Sequence, residues 1–318
     1  MASVAVTGGA GFVGCNLVRE LVRLGHDVKV IDDLSTGLRS NLEGINIEFH
    51  QVSINNFEHL KTSLLDSEII FHLAARGSVP RSIVNPVATM QTNVIGTQNV
   101  LECAREFDSQ VIFSSSSSVY GANLTLPKSE KMWTSPISPY AASKLAGEAL
   151  MQSYARSYGL TITSFRFFNI FGPYQRPDHD YAAVVPKWIW RAMNNQPLTL
   201  FGNGEQTRDF TSVNSVVAVL ISSMNRKLKN EDPINLAFGN RISLLRVIEL
   251  LQGYFPELVV EFKPKRQGDV IDSQNDPKRI HELFPDVSTV PFEDSLCELV
   301  RWFQNEYEAV INGPEVVA

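Results

Sequence analysis

Apolar and polar positions change period along the chain. SVAVT is a short apolar run, residues 12–24 carry apolar positions at helical spacing, and DVKVID and INIEF read as strands again. A helical pattern over residues 57–65 leads into EIIFHLAA, and a long one over 86–107 leads into QVIFSS. Strands separated by helices cannot pair as hairpins, so this alternation predicts βαβ units and a parallel sheet. A helix over about 139–158, with Pro139 suited to its first turn, and the strand LTITSFRFF extend that sheet. After Asn169 the texture changes to short strands, turns and helices: FGPYQRPDHDY, YAAVVPKWIWRAM, PLTLFGNGEQTRDF, PINLAFGN and a terminal helix around 292–307. Two regions are therefore expected, 1–169 and 170–318, interleaved at their boundary. No internal repeat is visible.

The chain has 318 residues, 44% of them hydrophobic and 19% charged, enough to bury a large core in one domain or two intimate ones. A net charge of -6 without a sustained Lys/Arg run argues against nucleic acid or an anionic membrane surface as the main partner. The locally basic KPKRQ, residues 263–267, reads first as a solvated face. Cys15, Cys103 and Cys297 are odd in number and lack metal-ligand spacing, which fits buried thiols in a reducing compartment. None of the six histidines pairs with Cys, Asp or Glu at metal spacing, so no metal is expected, and His72 reads as a satisfied core residue. MASVAVTGGAGFVG lacks a signal-peptide pattern and no apolar run reaches spanning length; a cytoplasmic location is the expectation.

Three stretches carry candidate chemistry. TGGAGFVG, residues 7–14, closes the first strand and opens the first helix, where Gly8, Gly11 and Gly14 give a tight turn, close backbone approach and tight helix-strand packing. The helix N-terminus suits a pyrophosphate. KVIDD then ends the second strand with Asp32 about twenty residues on, suited to a ribose hydroxyl and repelling a ribose phosphate, so NAD is favoured over NADP. Tyr140 and Lys144 stand four residues apart in SPYAASK, on one helical face. The ammonium, together with the positive nicotinamide ring, would favour a phenolate that acts as a general base. FSSSSSVYG, residues 113–121, sets five hydroxyls at the end of a strand.

TGGAGFVG, HLAA and YAASK occur in the order that identifies an extended short-chain dehydrogenase/reductase of the nucleotide-sugar epimerase and dehydratase group, and the resemblance covers nearly the whole chain. It implies an α/β fold: a doubly wound parallel Rossmann sheet with a smaller C-terminal α/β substrate lobe. For NAD it implies Gly8, Gly11, Phe12 and Val13 at the glycine turn, and Asp32, Asp33, Ser35, Thr36 and Gly37 along the adenosine ribose. Ser53 and Ile54 would lie by the adenine, Leu73, Ala74 and Ala75 along the cofactor, and Tyr140 and Lys144 at the nicotinamide ribose. Ser53 stands where the group often has an aspartate.

The same resemblance makes Ser116, Tyr140 and Lys144 catalytic. Related dehydratases carry Asp-Glu, and decarboxylases a second-position Glu, where this chain has Ser117 and Ser118. A serine is a poor acid for eliminating water, so epimerisation is favoured, through transient oxidation at C4. Ser114 and Ser115 read as buried strand residues. Asn169, Phe201, Arg208, Arg266 and Asp269 are implied for the nucleotide. RGSVPRSIVNP and YAAVVPKW resemble bacterial UDP-N-acetylglucosamine 4-epimerases, in which Gly77, Ser78, Ser117, Ser118, Gln175, Ala183, Val184 and Ser273 would frame the hexose. Gly77, Ala183 and Ser273 are small enough to leave room for an acetamido group. GPYQRPD also resembles uronate 4-epimerases, with basic groups near Arg176 facing a carboxylate; UDP-glucose stays open as a substrate, and so does a catalytically silent NAD-binding regulator. A homodimer is expected through a four-helix bundle using Met90, Val94, Thr97 and Leu101 with Leu145, Ala149 and Leu150.

Overall fold

The computed structural model describes residues 1–178, 182–264 and 272–308. Strand β1 (Ser3–Thr7) buries Val4, Ala5, Val6 and Thr7 on both of its faces, the pattern of an interior parallel strand and not of a hairpin with one wet face. The chain continues through α1 (Phe12–Arg23), β2 (Asp27–Ile31), β3 (Glu48–His50), α2 (Phe57–Leu64) and β4 (Ile69–His72). There follow α3 (Val79–Val84), α4 (Pro86–Met90), a π-helical turn over Gln91–Gly96, α5 (Thr97–Phe107) and β5 (Gln110–Ser116). A 3₁₀ turn over Ser117–Tyr120 leads to α6 (Pro139–Tyr158) and β6 (Ile162–Phe167). The remaining elements are β7 (Asn169–Phe171), α7 (Val184–Met193), β8 (Leu198–Phe201), β9 (Thr207–Arg208), β10 (Phe210–Ser212) and α8 (Val213–Asn225). Last come β11 (Asn230–Leu236), β12 (Ile242–Ser243), α9 (Leu244–Gln252), β13 (Val260–Lys263), α10 (Lys278–Leu283) and α11 (Phe292–Asn305).

Seven strands make one parallel sheet in the order β11-β6-β5-β4-β1-β2-β3. Thr7 lies opposite both Ile31 and His72, and His72 opposite Phe113, so the carboxyl ends of the central strands are level. The winding reverses between β1 and β4, the switch point beside which open α/β sheets bind their ligands. Leu60 and Leu64 of α2, Val100 and Leu101 of α5 and Met151 of α6 cover one face over Ile70, Val111 and Ile162. Right-handed crossover carries α1 to the other face. This is the doubly wound Rossmann architecture.

The chain divides into two compact units, the first of Met1–Leu124, Glu130–Phe167 and Val217–Leu236, the second of Thr125–Ser129, Phe168–Val216 and Ala237–Ala318. The division differs from a cut after Asn169 because β11 returns to pair with β6 in the large sheet. The second unit has its own aromatic-rich core, including Phe171, Trp188, Phe210, Phe292, Trp302 and Phe303, and three two-stranded pairings, β7 with β10, β8 with β13 and β9 with β12. The helix expected over 86–107 is interrupted. At Gly96, in the π turn, a Cβ would stand 2.5 Å from Ile54 Cδ1. Asn93 of the same turn gives its side chain to the backbone of Arg76 and to Ser143. No helix among the described residues is long and apolar enough to cross a membrane.

Candidate active site

Backbone groups build a cradle in the first unit. Gly8 has φ +74°, and a Cβ there would stand 2.7 Å from Ala74 N, so the turn can pass this close to β4's end only without a side chain. Gly8 N–H donates to Ile31 O at 2.8 Å and Gly11 N–H to Gly8 O at 3.1 Å. No side chain caps α1 and no acidic residue sits in its first turn. The first-turn N–H groups, Phe12 and Val13 among them, therefore have no intrahelical acceptor and suit an anion.

Asp32 directly follows β2, with Oδ2 accepting from Ala10 N–H and Oδ1 from Leu34 N–H, both at 2.9 Å. Burial pushes its pKa up, against these two bonds, and each oxygen retains a lone pair for a hydroxyl donor. Asp33 Oδ1 accepts from Ser35 N–H at 3.0 Å, with Thr36 exposed beside it. A Cβ on Gly37 would stand 2.9 Å from Ala10 C, and Leu38 N–H and Asn41 Nδ2 donate to Ala10 O at 3.1 and 2.8 Å. The loop after β2 is thus clamped to the glycine turn. Ser53 Oγ accepts from Asn55 N–H at 3.4 Å, and Ile54 is buried. Leu73 N–H donates to Thr7 O, placing Leu73 and Ala74 beside Gly8, and the Ala75 carbonyl accepts from Gly77 N–H at 3.1 Å.

Below this surface His72 is satisfied in the core. Thr7 Oγ1 lies 2.8 Å from Nδ1 and Thr97 Oγ1 2.9 Å from Nε2. Thr97 Oγ1 donates to Asn93 O at 2.7 Å, so it accepts from Nε2–H, and Thr7 donates to Nδ1. Burial, with Lys144 a second cause, lowers the imidazole to about 3, and it stays neutral.

The serine run meets the helix of Tyr140. Ser138 caps α6 by accepting from Ala141 N–H at 3.1 Å, and Pro139 occupies the first turn. The half-buried Tyr140 lies beside the Ser116 side chain. Its phenol is raised by desolvation, and the Ser116 hydroxyl opposes this. Lys144, 3% exposed, donates to Ser114 O at 2.7 Å. Burial draws its pKa down to about 7, against the pull of Glu148. The sequence predicts an ammonium that favours the phenolate; in the protein alone desolvation dominates both groups. Ser116 Oγ also accepts from Ser118 N–H, while Ser118 Oγ is buried without a partner among the described residues. Ser117 opens the 3₁₀ turn. Ser114 Oγ donates to His72 O at 3.2 Å and Ser115 Oγ to Glu148 Oε1 at 2.5 Å. Gly77 has open space where a Cβ would be, and Ser78, at φ +90°, caps α3.

In the second unit, Asn169 Nδ2 donates to Ser273 Oγ at 3.3 Å and to Asp209 O at 3.4 Å, and Ser273 N–H donates to Thr207 O at 3.1 Å, beside Arg208. Asn169, Arg208 and Ser273 are thus brought together. Asp209 does not form the surface ion pair with Arg208 that adjacency would suggest. It is fully buried and accepts from the N–H groups of Gly239, Asn240 and Asn275 at 3.0, 3.1 and 2.8 Å. Phe201 ends β8, its carbonyl held by Gln206 Nε2 at 2.7 Å. Gln175 Nε2 donates to Ile170 O at 3.2 Å and leaves Oε1 without a partner among the described residues. Ala183 precedes α7, which Val184 begins. Arg266 and Asp269 lie outside the described residues. Among the described residues no cluster of His, Cys, Asp and Glu could hold a metal ion.

Asn93, Ser143, Glu148, Arg166 and Asp209 are not singled out by the sequence patterns. Only Glu148 carried a signal, four residues beyond Lys144 on the same face.

A parallel sheet with a glycine cradle at its switch point is the arrangement of a dinucleotide-binding fold, and Ser116, Tyr140 and Lys144 stand on β5 and α6 of the same unit. Residues 4–237 match the NAD dependent epimerase/dehydratase family, and the chain belongs to that family. It is 32% identical over 323 residues to UDP-glucuronic acid decarboxylase 1 of Xenopus tropicalis, covering 98% of this chain and 74% of that protein. Among solved structures it resembles a UDP-N-acetylglucosamine 4-epimerase from Methanobrevibacter ruminantium in complex with UDP-N-acetylmuramic acid, at TM-score 0.89 and 34% identity, covering 95% of this chain and 98% of that one. It also resembles the UDP-glucuronic acid 4-epimerase of Bacillus cereus in complex with UDP-glucuronic acid and NAD, at TM-score 0.85 and 28% identity, covering 95% and 99%. The chain is a nucleotide-sugar modifying enzyme with NAD as its cofactor.

Proposed function

We propose that the protein interconverts the C4 epimers of a UDP-hexose, UDP-GlcNAc and UDP-GalNAc foremost. The observation that carries this reading is the meeting of α6 with the end of β5, where Lys144 Nζ donates to Ser114 O at 2.7 Å and Ser116 stands beside Tyr140, with hydroxyls in place of carboxylates at Ser117 and Ser118. NAD, when bound, supplies reversible two-electron oxidation at the sugar carbon. Gly8, Gly11 and the first turn of α1 would hold its pyrophosphate and Asp32 its ribose. Tyr140 Oη takes the proton of the C4 hydroxyl and returns it after the 4-keto sugar has turned, while Ser116 donates to the same oxygen. Lys144 as ammonium lowers the cost of the phenolate. The hydroxyls of Ser117 and Ser118 are too weakly acidic to expel water. In the second unit Asn169, Phe201, Arg208 and Ser273 are assigned to the UDP-sugar, with the small Ser273 beside the C2 substituent.

The uronate reading finds less support. Arg176, its candidate cation, is forked onto Asp178 at 2.9 and 2.5 Å. A homodimer is proposed through the first unit, where Ile83, Val84, Val87, Met90 and Ile95 are exposed. This set corrects the sequence-based stripe, because Thr97 bonds His72 in the interior and Leu101 packs in the sheet's core.

NMR of the products from UDP-GlcNAc, UDP-glucose and UDP-glucuronate, incubated side by side, tests the reading. UDP-GalNAc is expected without a deoxy product or carbon dioxide. A deoxy or unsaturated sugar would indicate a dehydratase, released carbon dioxide a decarboxylase, and NAD binding with no conversion a non-catalytic role.

A further inference from the structure

Helix α6 presents Tyr140, Lys144 and Glu148 at four-residue intervals, and β5 meets them with three successive serines. The Ser116 side chain lies beside Tyr140, the Ser114 carbonyl accepts from Lys144 Nζ, and Ser115 Oγ donates to Glu148 Oε1 at 2.5 Å. Glu148 is buried and held by a forked pair from Arg166 of β6, Nε to Oε1 and Nη2 to Oε2, both at 2.8 Å. Arg166 Nη1 also donates to the Tyr120 hydroxyl at 2.9 Å, and that hydroxyl donates to Asn235 Oδ1 at 2.7 Å. One carboxylate therefore ties together the serine strand, the next strand and, through Tyr120, the 3₁₀ turn that holds Ser117 and Ser118. A buried ion pair adds little stability over apolar residues of the same volume, but breaking one partner is costly; its geometric effect is to fix a single arrangement.

We propose that Glu148 is a positioning residue for the Ser116-Tyr140-Lys144 group, fixing β5 in register with α6 through Ser115 and holding a negative charge one turn behind the lysine. The inference rests on the reading of those three residues as the reacting ones. Tyr140 and Glu148 face Lys144 from its own helix, the Ser114 carbonyl and Phe113 ring from β5, and the neutral His72 from β4. Asn93 and Ser143 alongside are uncharged, and Arg166 lies beyond Glu148 with both carboxylate oxygens engaged. Glu148 supports the ammonium against burial. Removing the carboxylate lets the ammonium lose its proton at lower pH.

Ser115→Ala removes the strand's bond and leaves the ion pair; Glu148→Gln keeps the shape and removes the charge. With NAD bound, Ser115→Ala is expected to lower kcat about five-fold, the scale of one hydrogen bond, with KM little changed. Glu148→Gln is expected to move both the alkaline limb of kcat and the Lys144 ammonium-to-amine transition, followed by NMR of labelled lysine, about one unit to lower pH. If the unpaired Arg166 unfolds that variant, seen as lost NAD content and a lowered Tm, Glu148→Gln/Arg166→Met relieves the stranded charge and is expected to shift the transition in the same direction. Wild-type kcat in Ser115→Ala, or an unmoved transition in a folded variant lacking Glu148, overturns the proposal. Tyr140→Phe run in parallel separates the two readings: retained turnover there removes the catalytic assignment, whereas its loss beside unaffected Glu148 variants removes only the role of Glu148.

Discussion

Lys144 carries a cost that pH can reveal. Its folded pKa, about 7, lies below that of the unfolded chain, so between about 7 and 10.5 the unfolded state binds more protons and stability rises with pH. Below about 7 the full cost of burying the ammonium is present. Urea unfolding of the NAD-free protein at pH 6.5, 8 and 9.5 should show this rise, and Lys144→Met should flatten it; an equal slope in both proteins would place the effect elsewhere. Tyr140→Phe keeps the ring in place and removes the proton acceptor, so NAD retention with loss of most turnover is the expected result. At Ser273, whose hydroxyl accepts from Asn169 Nδ2, substitution by tyrosine should fill the space proposed for an acetamido group. The kcat/KM ratio of UDP-GlcNAc to UDP-glucose should then fall at least ~10-fold, and an unchanged ratio would mean that Ser273 does not face the sugar.

At the scale of elements, the β1-α1 turn depends on backbone proximity. A Cβ at Gly14 would stand 2.2 Å from Gly8 O and 2.7 Å from Gly9 Cα, and neither backbone atom can yield as a flexible side chain would. Gly14→Ala is therefore expected to push α1 off the strand, lowering stability by roughly 1–3 kcal/mol and reducing NAD co-purified with the protein. Absorbance of the gel-filtered variant and its Tm check both. The π turn at Gln91–Gly96 follows a similar logic. It brings Asn93 to Ser143, whose hydroxyl donates to Tyr140 O, and so links the turn to the first turn of α6.

At the scale of the whole molecule, the exposed apolar side chains of α3, α4 and the π turn are the surface on which the dimer proposal rests. Val84 and Val87 are 77% and 76% exposed in the single chain. Val87→Lys should leave the fold and its NAD intact while converting a dimer to a monomer in sedimentation at micromolar concentration. A wild-type protein that sediments as a monomer at that concentration would end the dimer proposal.

The sequence by itself determined the parallel sheet, the glycine cradle and the Tyr140-Lys144 face, because each is written in local spacing: buried runs between helical patterns, three glycines across a strand-helix turn, and a four-residue interval on one helix. It also placed His72 in the core and Ser114 and Ser115 within the strand. Tertiary structure decided the partners. That Ser115 answers Glu148 and Arg166, that Asp209 serves three backbone N–H groups instead of its neighbour Arg208, and that Thr97 and Leu101 face inward all depend on segments distant in sequence. Likewise the phenol of Tyr140 is raised and the ammonium of Lys144 lowered by desolvation, which depends on what surrounds a group after folding, and spacing along a chain carries no record of it.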